Sequence, residues 1–441
     1  MTQTNFNPRN IAWQVMQAAL KAVDPAIAIR NYFAANPNIV ARIKATSGRL
    51  YVVGAGKASA PMAAAVSEIF GEQITAGQVI VKYGYGVAQV HPAIALSEAG
   101  HPVPDEAGWL ASKEIIDLLA ETTTEDTVLC LISGGGSALL TAPVAGLTLV
   151  DLQATTEHLL AAGATINQVN VIRKHLSTVK GGGLARLAAP ASLYALILSD
   201  VVADPLPIIA SGPTVPDPST FFDAWAVVEQ FDLQAKLPAA VSHHLQAGLN
   251  GELPDTAKPG DPIFDRVHNV IIGSNRIAAN AAVQAAQAVG FSAQLLTTFV
   301  EGEAREVGRV VAGLAKGLAA DEGSLPRPAC LVLGGETTVT IKGEGKGGRN
   351  QEMALSVALG LAGWPNLLVA CLGTDGSDGP TDAAGAFAGS DTLVRAQTAG
   401  LDPINYLNRN DAYNFFAKLD DLIMTGPTNT NVNDLMLIFA W

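Results

Sequence analysis

Residues 49–70 have the sequence RLYVVGAGKASAPMAAAVSEIF. The pattern predicts a buried strand over Arg49–Val53, a glycine-rich turn at 54–57 and a helix over Ala58–Phe70. The same order of strand, turn and helix recurs from Thr127–Ile132 onward. Apolar strands that alternate with Ala-rich helices are typical of parallel sheets covered by helices. We therefore expect an α/β protein.

A polar stretch rich in Pro and Gly, from about Gly248 to Asp265, interrupts this series. A second series of strands and helices follows it, with strands predicted at Asn269–Ile272, Cys330–Leu333 and Thr337–Lys342. Such stretches are typical of domain boundaries. We expect two α/β domains, at residues 1–250 and 266–441.

The chain of 441 residues is acidic, with 27 Lys and Arg against 40 Asp and Glu and a net charge of −13. This balance argues against nucleic acid or an anionic membrane as a main partner. Hydrophobic residues make up 49% of the chain, which predicts a large buried core and permits a homodimer. The chain shows no secretory signal and no apolar run of the roughly 18 residues that a membrane helix needs. We expect a soluble, cytoplasmic protein.

Three glycine-rich turns follow predicted strands, at 54–59 (GAGKAS), 133–137 (SGGGS) and 343–350 (GEGKGGRN). Ligands of open α/β sheets bind beyond the carboxyl ends of the strands, where helix N-termini face anions. The first and third turns also carry cations, among them Lys57 and Arg349, which suits a phosphate or carboxylate ligand. The alternative is that the glycines only permit positive φ angles. The candidate phosphate-binding residues of the first two turns are Gly54, Gly56, Ser133, Gly134, Gly135, Gly136 and Ser137.

These turns match none of the common nucleotide-binding fingerprints. Gly54-x-Gly56-x-x-Ser59 departs from G-x-G-x-x-G at its third position, and no acid follows about 20 residues later. Neither Lys57 nor Lys346 stands in a Walker A pattern. A nicotinamide dehydrogenase is therefore disfavoured, and any kinase lies outside the P-loop class. The histidines and cysteines form no zinc-binding spacing, and SGGGSAL lacks the final glycine of a serine-hydrolase elbow.

Several polar side chains stand directly after predicted strands. Glu336, Asp375 and Asp378 are suited to holding Mg²⁺ beside substrate phosphates, although Asp378 equally suits the stabilisation of a turn. Asp200 is a candidate base, metal ligand or helix cap. Asn275 lies at a strand-to-helix junction, where it either contacts the substrate or caps the helix.

A basic segment precedes a further run of glycines. Arg173, Lys174 and Lys180 lie just before Gly181–Gly183. Two interpretations are open for this segment. It forms either another anion-binding edge or the solvated end of a helix.

Ten segments bring these features together in a fixed order. They are VGAGKA at 53–58, GHPVPD at 100–105, LISGGGSAL at 131–139, NVIRKHLS at 170–177, LSDV at 198–201, SGPT at 211–214, GGET at 334–337, GGRNQE at 347–352, GTDG at 373–376 and TGPTNTNVND at 425–434. Over nearly the whole chain, this series resembles the class II glycerate 2-kinases, whose C-terminal part is called the MOFRL domain.

The resemblance implies a Rossmann-like N-terminal domain, a second α/β domain and an active site in the cleft between them. It implies transfer of the γ-phosphoryl group of ATP to the C2 hydroxyl of D-glycerate, giving 2-phosphoglycerate, with a divalent cation. The important Lys and Arg of the family fall on Lys57 and Arg349. On this hypothesis Asp200, Asn275, Glu336 and Asn350 bind substrate or phosphate, and Glu336 and Asp375 hold Mg²⁺.

Two rival functions remain open on the sequence. Similar sequences have often been labelled hydroxypyruvate reductases, which would use NADH or NADPH instead of ATP. A non-catalytic sensor could instead bind a sugar acid or a phosphate between its two domains. Turnover with ATP and glycerate separates the kinase from both.

Overall fold

The computed structural model describes residues 7–86, 89–320, 322 and 325–441. Its helices are α1 (Pro8–Ala22), α2 (Pro25–Ala35), α3 (Pro37–Ala45), α4 (Ser59–Phe70), α5 (Glu106–Leu119), α6 (Gly136–Leu139), α7 (Leu149–Ala161), α8 (Ile166–His175), α9 (Gly183–Ala188), α10 (Phe221–Gln230), α11 (Ala239–Leu249), α12 (Asn275–Ala288), α13 (Ala304–Ala319), α14 (Arg349–Gly360), α15 (Thr392–Thr398), α16 (Pro403–Asn408) and α17 (Ala412–Ala417). Its strands are β1 (Leu50–Ala55), β2 (Ile74–Lys82), β3 (Ile94–Ala99), β4 (Thr127–Ile132), β5 (Ser192–Leu198), β6 (Val267–Gly273), β7 (Ser292–Glu303), β8 (Ala329–Thr338), β9 (Leu367–Gly373), β10 (Gly385–Gly389), β11 (Leu422–Ile423) and β12 (Asp434–Ala440).

The chain forms two compact units. The N-terminal unit contains Pro25–Ser199 and Asp204–Ile272. The C-terminal unit contains the described residues up to Asp24, then Asp200–Ala203 and Gly273–Trp441. The α/β class predicted from the sequence is confirmed, with one six-stranded sheet in each unit. Strand β6, predicted at Asn269–Ile272 as the start of the second series, is hydrogen-bonded in the sheet of the N-terminal unit.

The sheet of the N-terminal unit has the strand order β3-β2-β1-β4-β5-β6. The neighbouring pairs from β3 to β5 are all parallel. In this Rossmann-like order the direction of strand addition reverses between β1 and β4, and ligands bind beyond the carboxyl ends of strands at such a reversal. Because Ala55 pairs with Ile132, the two strands end side by side. The turns that carry Lys57 and the SGGGS sequence therefore follow adjacent strand ends.

The sheet of the C-terminal unit is mixed, in the order β11-β10-β9-β12-β8-β7. The last strand, β12, enters antiparallel between β8 and β9. Its first residue, Asp434, pairs with Gly335 on one side and with Gly373 on the other. The beginning of β12 thus lies at the carboxyl ends of β8 and β9, where Glu336 and Asp375 are found.

Each unit has an apolar core built from its sheet and the covering helices. In the C-terminal unit α14 is buried along most of its length, from Asn350 to Ala358. The strands β1, β4 and β9 are buried on both faces, as the uninterrupted apolar runs predict. The three cysteines, Cys130, Cys330 and Cys371, are buried and form no disulfide, in agreement with their interpretation as core residues.

Two further features differ from the sequence interpretation. Helix α1 belongs to the C-terminal unit, because it packs against α12 and buries an apolar face that includes Val15 and Met16. The predicted domain bounds of 1–250 and 266–441 stay a prediction. The separate strand predicted at Thr337–Lys342 is wrong: β8 ends at Thr338, and the amides of Thr340 and Lys342 then donate to side chains instead of to a neighbouring strand.

Candidate active site

Lys57 lies in the turn after β1, and the backbone of this turn is fully engaged inside the protein. The amide of Gly56 donates to a carbonyl of β2 at 3.0 Å, and the amide of Lys57 donates to Gly134 O at 2.9 Å. The amide of Ala58 donates to Ser133 Oγ at 2.9 Å. The Lys57 side chain, in contrast, makes no hydrogen bond or ion pair with any described residue. The group that this turn offers to a ligand is therefore the ammonium of Lys57.

The glycines of the first turn allow it to lie against the turn after β4. A Cβ on Gly54 would stand 2.3 Å from a carbonyl of β4, and one on Gly56 would stand 2.1 Å from Ser133 Oγ. Gly136 is equally close-packed, with a carbonyl at the end of β1 at 3.0 Å from its Cβ position. Ser133 is buried and holds the two turns together through Ala58. These contacts show packing, and phosphate binding by Gly54, Gly56, Ser133 and Gly136 stays a prediction.

The SGGGS turn has the unoccupied amides that the first turn lacks. Within the described residues, the amides of Gly134, Gly135 and Ser137 donate to no acceptor. Gly135 has the left-handed conformation, with φ 83° and ψ −4°. Neighbouring amides arranged by such a conformation form a concavity that binds anions. The Lys57 Cε lies 3.6 Å from the Cβ position of Gly135, so a cation accompanies these amides.

His101 is a member of this cluster that the sequence interpretation did not select. Its Nε2 lies 3.1 Å from the Cβ position of Gly135. Burial, and then the positive charges of Lys57 and Lys82, lower the pKa of His101 to about 4. Its imidazole is therefore neutral near pH 7 and serves as a hydrogen-bonding group. The GHPVPD motif was the sequence signal for it.

Ser137 connects the turn to the long loop that follows β5. Its Oγ lies 2.7 Å from Ser211 Oγ, which donates to Asn170 Oδ1 at 2.9 Å. Asp200 follows β5 directly and is grouped with the C-terminal unit. A role for Asp200 as base or ligand stays a prediction.

In the C-terminal unit, Arg349 is the first residue of α14 and contacts two carboxylates. Nη1 donates to Glu336 Oε1 at 2.8 Å, and Nη2 donates to Asp434 Oδ1 at 3.0 Å. Nε lies 2.6 Å from Asp434 Oδ2. Burial opposes the charge of the guanidinium, but the carboxylates of Asp434 and Glu336 outweigh it and raise the pKa of Arg349 above its ordinary value. Arg349 is thus permanently charged and fixed in orientation.

Asn350 and Asp378 hold the beginning of α14. Asp378 accepts hydrogen bonds from the amides of Asn350, at 3.1 Å, and Gln351, at 2.8 Å. Asn350 Nδ2 donates to Asp434 Oδ1 at 3.0 Å. Burial, with a further contribution from the charge of Asp434, raises the pKa of Asp378 to about 7 despite the amide hydrogen bonds. Asp378 therefore accepts hydrogen bonds from the first turn of α14, a contact that the sequence interpretation of Asp378 as a metal ligand or turn residue did not include.

Asn275 contacts the backbone around Asp434. Its Nδ2 donates to the carbonyls of Val432 and Asp434, both at 2.8 Å. A Cβ on Gly334 would stand 1.7 Å from Asn275 Oδ1, so only glycine leaves room for this side chain. Asn275 is thus buried and bonded to the backbone at the beginning of β12. Direct contact of Asn275 or Asn350 with a substrate stays a prediction.

A pocket of 540 Å³ opens beside Arg349. Asp375 is exposed on its wall, and the only described donor to its carboxylate is the amide of Ser377, at 3.0 Å. No set of three or more His, Cys, Asp or Glu side chains among the described residues could by itself hold a metal. Mg²⁺ commonly takes only one or two carboxylates, with the remaining ligands from water and substrate phosphates. Asp375 and the half-exposed Glu336 fit that pattern, although Glu336 is paired with Arg349.

The site residues predicted from the sequence thus form two clusters. The N-terminal unit contains Lys57 and the SGGGS turn, and the C-terminal unit contains Arg349 with Glu336, Asn350 and Asp375. The sequence interpretation missed Asp434, the main partner of Arg349. Its signal was the last residue of the TGPTNTNVND motif.

Comparison with known proteins identifies the family. Residues 11–246 match a family model described as a domain of unknown function, DUF4147, and residues 329–434 match the MOFRL family. A glycerate 2-kinase of Pyrococcus horikoshii is 42% identical over 97% of this chain and 96% of its own length. A putative hydroxypyruvate reductase of Agrobacterium vitis is also 42% identical, over 99% of this chain and 96% of its own length.

The solved structures agree with the sequences. The crystal structure of glycerate kinase from Thermotoga maritima superposes with a TM-score of 0.90 at 38% identity, over 98% of this chain and 99% of that one. Both units are thus those of a two-domain α/β kinase that is unrelated to P-loop enzymes in its motifs. The chain belongs to the class II glycerate 2-kinase family, with its C-terminal MOFRL domain. In the described part of the chain, no helix has the length and apolar character required to span a bilayer.

Proposed function

We propose that this protein is an ATP-dependent glycerate 2-kinase, which converts D-glycerate to 2-phosphoglycerate. The observation that carries the proposal is the near-complete coverage of relatives that are named glycerate 2-kinases, at 42% and 39% identity. In the reaction, the C2 hydroxyl oxygen attacks the γ-phosphorus. The bond to the β,γ-bridging oxygen breaks, ADP leaves, and the hydroxyl proton passes to a base.

The charges at the two clusters suit this chemistry. Phosphoryl transfer depends mainly on positioning and on positive charge around the equatorial oxygens of the transferring group. Lys57, with the open amides of Gly134, Gly135 and Ser137, supplies such charge in the N-terminal unit. Arg349 supplies it in the C-terminal unit, where Asp434 fixes its orientation. We assign each side chain to phosphate oxygens of the bound substrates.

Asp375 and Glu336 are the proposed acidic members of the cluster in the C-terminal unit. Asp375, exposed on the pocket wall, is the principal protein ligand for Mg²⁺, together with the phosphates of the nucleotide. When bound, Mg²⁺ neutralises charge on the β- and γ-phosphates. Glu336 accepts a hydrogen bond from Arg349, and it either joins the metal or orients the glycerate hydroxyl.

A reductase function is the second candidate, since the relative from Agrobacterium vitis carries the name putative hydroxypyruvate reductase. A dinucleotide pyrophosphate would require open backbone amides in the turn after β1. The amides of Gly56, Lys57 and Ala58 are all bonded inside the protein. Ser59 also replaces the third glycine of the fingerprint. The kinase is therefore the better supported function.

The test is incubation of the purified protein with D-glycerate, ATP and Mg²⁺, with ADP release followed over time. Enolase, added as a coupling enzyme, consumes 2-phosphoglycerate and not the 3-isomer, so it identifies the product. ADP release with an enolase-dependent signal is the expected result. Oxidation of NADH or NADPH by hydroxypyruvate, without ADP release from glycerate and ATP, would favour the reductase. Binding of glycerate without either turnover would favour the sensor.

A further inference from the structure

Arg173 is a partly buried cation that the phosphoryl-transfer chemistry above does not use. It lies near the end of α8, and its guanidinium makes no hydrogen bond or ion pair with any residue that the structure describes. Its two neighbours in sequence are both paired. Lys174 contacts Asp217 at 3.2 Å, and His175 contacts Asp255 at 3.0 Å. A shielded guanidinium without a counter-ion is unfavourable unless an anion binds there.

A second cation, Lys180, lines the same cavity as Arg173. Lys180 is buried, and its Nζ donates to Ser137 O at 2.6 Å and to Leu140 O at 2.9 Å. Burial lowers the pKa of Arg173, and burial together with the charge of Arg173 lowers the pKa of Lys180. No Asp or Glu is among the residues that line this cavity, so its lining favours an anionic ligand.

Arg173, Lys180 and Ser137 of the SGGGS turn line a small cavity of about 30 Å³. Its polar lining consists of Arg173, Lys180, Ser137, Thr141, Thr155 and Thr156. Because one water occupies roughly 10–15 Å³ of such volume, the cavity has room for about two oxygen atoms. Ser137 belongs to the turn whose open amides and neighbouring Lys57 form the proposed phosphoryl site. The cavity therefore adjoins that site and has the size of a carboxylate group.

We propose that Arg173 binds the carboxylate of the hydroxy-acid substrate in this cavity, with Ser137 at its edge. The planar guanidinium can donate two parallel hydrogen bonds to the two carboxylate oxygens. The C2 hydroxyl of glycerate is attached to the carbon next to the carboxylate. A carboxylate at Arg173 would therefore hold this hydroxyl close to the turn that contains Ser137. The cavity is far smaller than the roughly 300 Å³ or more of pockets that enclose larger ligands, which argues against a nucleotide there.

This assignment rests on the proposed kinase function and is tested by kinetics of Arg173→Met and Arg173→Lys. We expect KM for D-glycerate to rise roughly 10- to 100-fold in Arg173→Met, because a charged hydrogen-bonded pair with the substrate is lost. KM for ATP should stay within about twofold. Arg173→Lys should recover only part of the loss. Arg186→Met, which removes an exposed arginine of α9 in the same unit, is the matched control. A rise in KM for ATP instead, or unchanged KM values for both substrates, would overturn the carboxylate subsite.

Two measurements without turnover separate this proposal from the proposed function. Thermal unfolding should show that Arg173→Met is at least as stable as the wild type, because the variant removes a shielded charge that has no partner; a marked loss of stability would indicate a structural arginine. Calorimetry without nucleotide should show that the wild type binds D-glycerate and does not bind glycerol, which lacks the carboxylate.

If Arg173-dependent glycerate binding persists in a protein with no kinase activity, the kinase function fails and the subsite stands. If the kinase is active and Arg173→Met binds glycerate as tightly as the wild type, the subsite fails and the function stands.

Discussion

Arg349 and Asp434 form a two-point ion pair that joins the beginning of α14 to the beginning of β12. Nη2 donates to Oδ1 at 3.0 Å, and Nε lies 2.6 Å from Oδ2. The side chain of Asp434 is 0% exposed, whereas that of Arg349 is 31% exposed. The carboxylate is thus held inside the unit, and the guanidinium reaches the pocket. The pair orients Arg349 and at the same time balances a buried negative charge.

Removing Arg349 is therefore expected to affect both stability and activity. In Arg349→Met the buried carboxylate of Asp434 loses its counter-ion, which costs about 3–5 kcal/mol in comparable pairs. We expect kcat/KM to fall roughly 10²- to 10³-fold as well, since a preorganised donor to the transferring group is lost. Chemical denaturation and steady-state kinetics measure the two effects.

The double variant Arg349→Met/Asp434→Asn separates them. Neutralising Asp434 removes the unpaired charge, so much of the lost free energy of unfolding should return. The activity should stay low, because the cation is still missing. Recovery of activity together with stability would show that Arg349 acts only through the fold.

Lys57 should behave differently from Arg349 because its ammonium has no partner among the described residues. In Lys57→Met the free energy of unfolding should change by less than about 1 kcal/mol, as for other substitutions that break no internal contact. The value of kcat/KM should fall roughly 10²- to 10³-fold with the loss of positive charge at the phosphoryl group. Lys113→Met, on α5, is the control for loss of a lysine elsewhere in the unit. Equal activities of Lys57→Met and the control would remove Lys57 from the mechanism.

The predicted strands at Thr127–Ile132 and Leu193–Leu198 are confirmed because their apolar runs are local signals. Asp434 could not be found in this way. It reaches the site because β12, from the far end of the chain, inserts between β8 and β9, and such a non-local pairing leaves no periodic pattern near Arg349. His101 was missed for a similar reason, since only the folded turn at Gly135 brings it to Lys57. The alternating residues at Thr337–Lys342 gave a wrong strand prediction, because alternation indicates a strand only where a neighbouring strand is available for pairing.

Asp375 provides a test of the proposed metal site. In Asp375→Asn the Mg²⁺ concentration that gives half-maximal activity should rise roughly 10-fold or more, because an anionic ligand is replaced by a neutral one. Asp382→Asn is the matched control, because Asp382 bonds Tyr413 at 2.7 Å and belongs to no proposed ligand set. Titration of activity with MgCl₂ at saturating substrates makes the measurement. An unchanged Mg²⁺ requirement would exclude Asp375 as a ligand.

Lys180 should make stability depend on pH in the alkaline range. Burial, and then the charge of Arg173, lower its pKa from 10.5 to about 7. Between these values the unfolded chain holds a proton that the folded protein has released, so the contribution of Lys180 to the free energy of unfolding rises with pH, by at most about 1.4 kcal/mol per pH unit. Neutral Lys180 still has two N–H groups for the carbonyls of Ser137 and Leu140. Urea denaturation of wild type and Lys180→Met at pH 7, 8 and 9 should show a widening difference, and parallel pH profiles would contradict it.

Gly56 tests whether the two turns at the ends of β1 and β4 must touch. An added Cβ would stand 2.1 Å from Ser133 Oγ, and the φ of +147° is unfavourable for any residue with a side chain. Gly56→Ala should therefore lower the free energy of unfolding by about 2–4 kcal/mol, through combined overlap and backbone strain. Gly163→Ala, with φ +83° and no atom within 4 Å of the new methyl group, should cost only the strain of about 1–2 kcal/mol. Since the shift at Gly56 also separates Lys57 from Gly135, kcat/KM should fall in this variant and remain normal in Gly163→Ala. Equal losses of stability in the two variants would show that strain alone, and not the contact with Ser133, requires glycine at position 56.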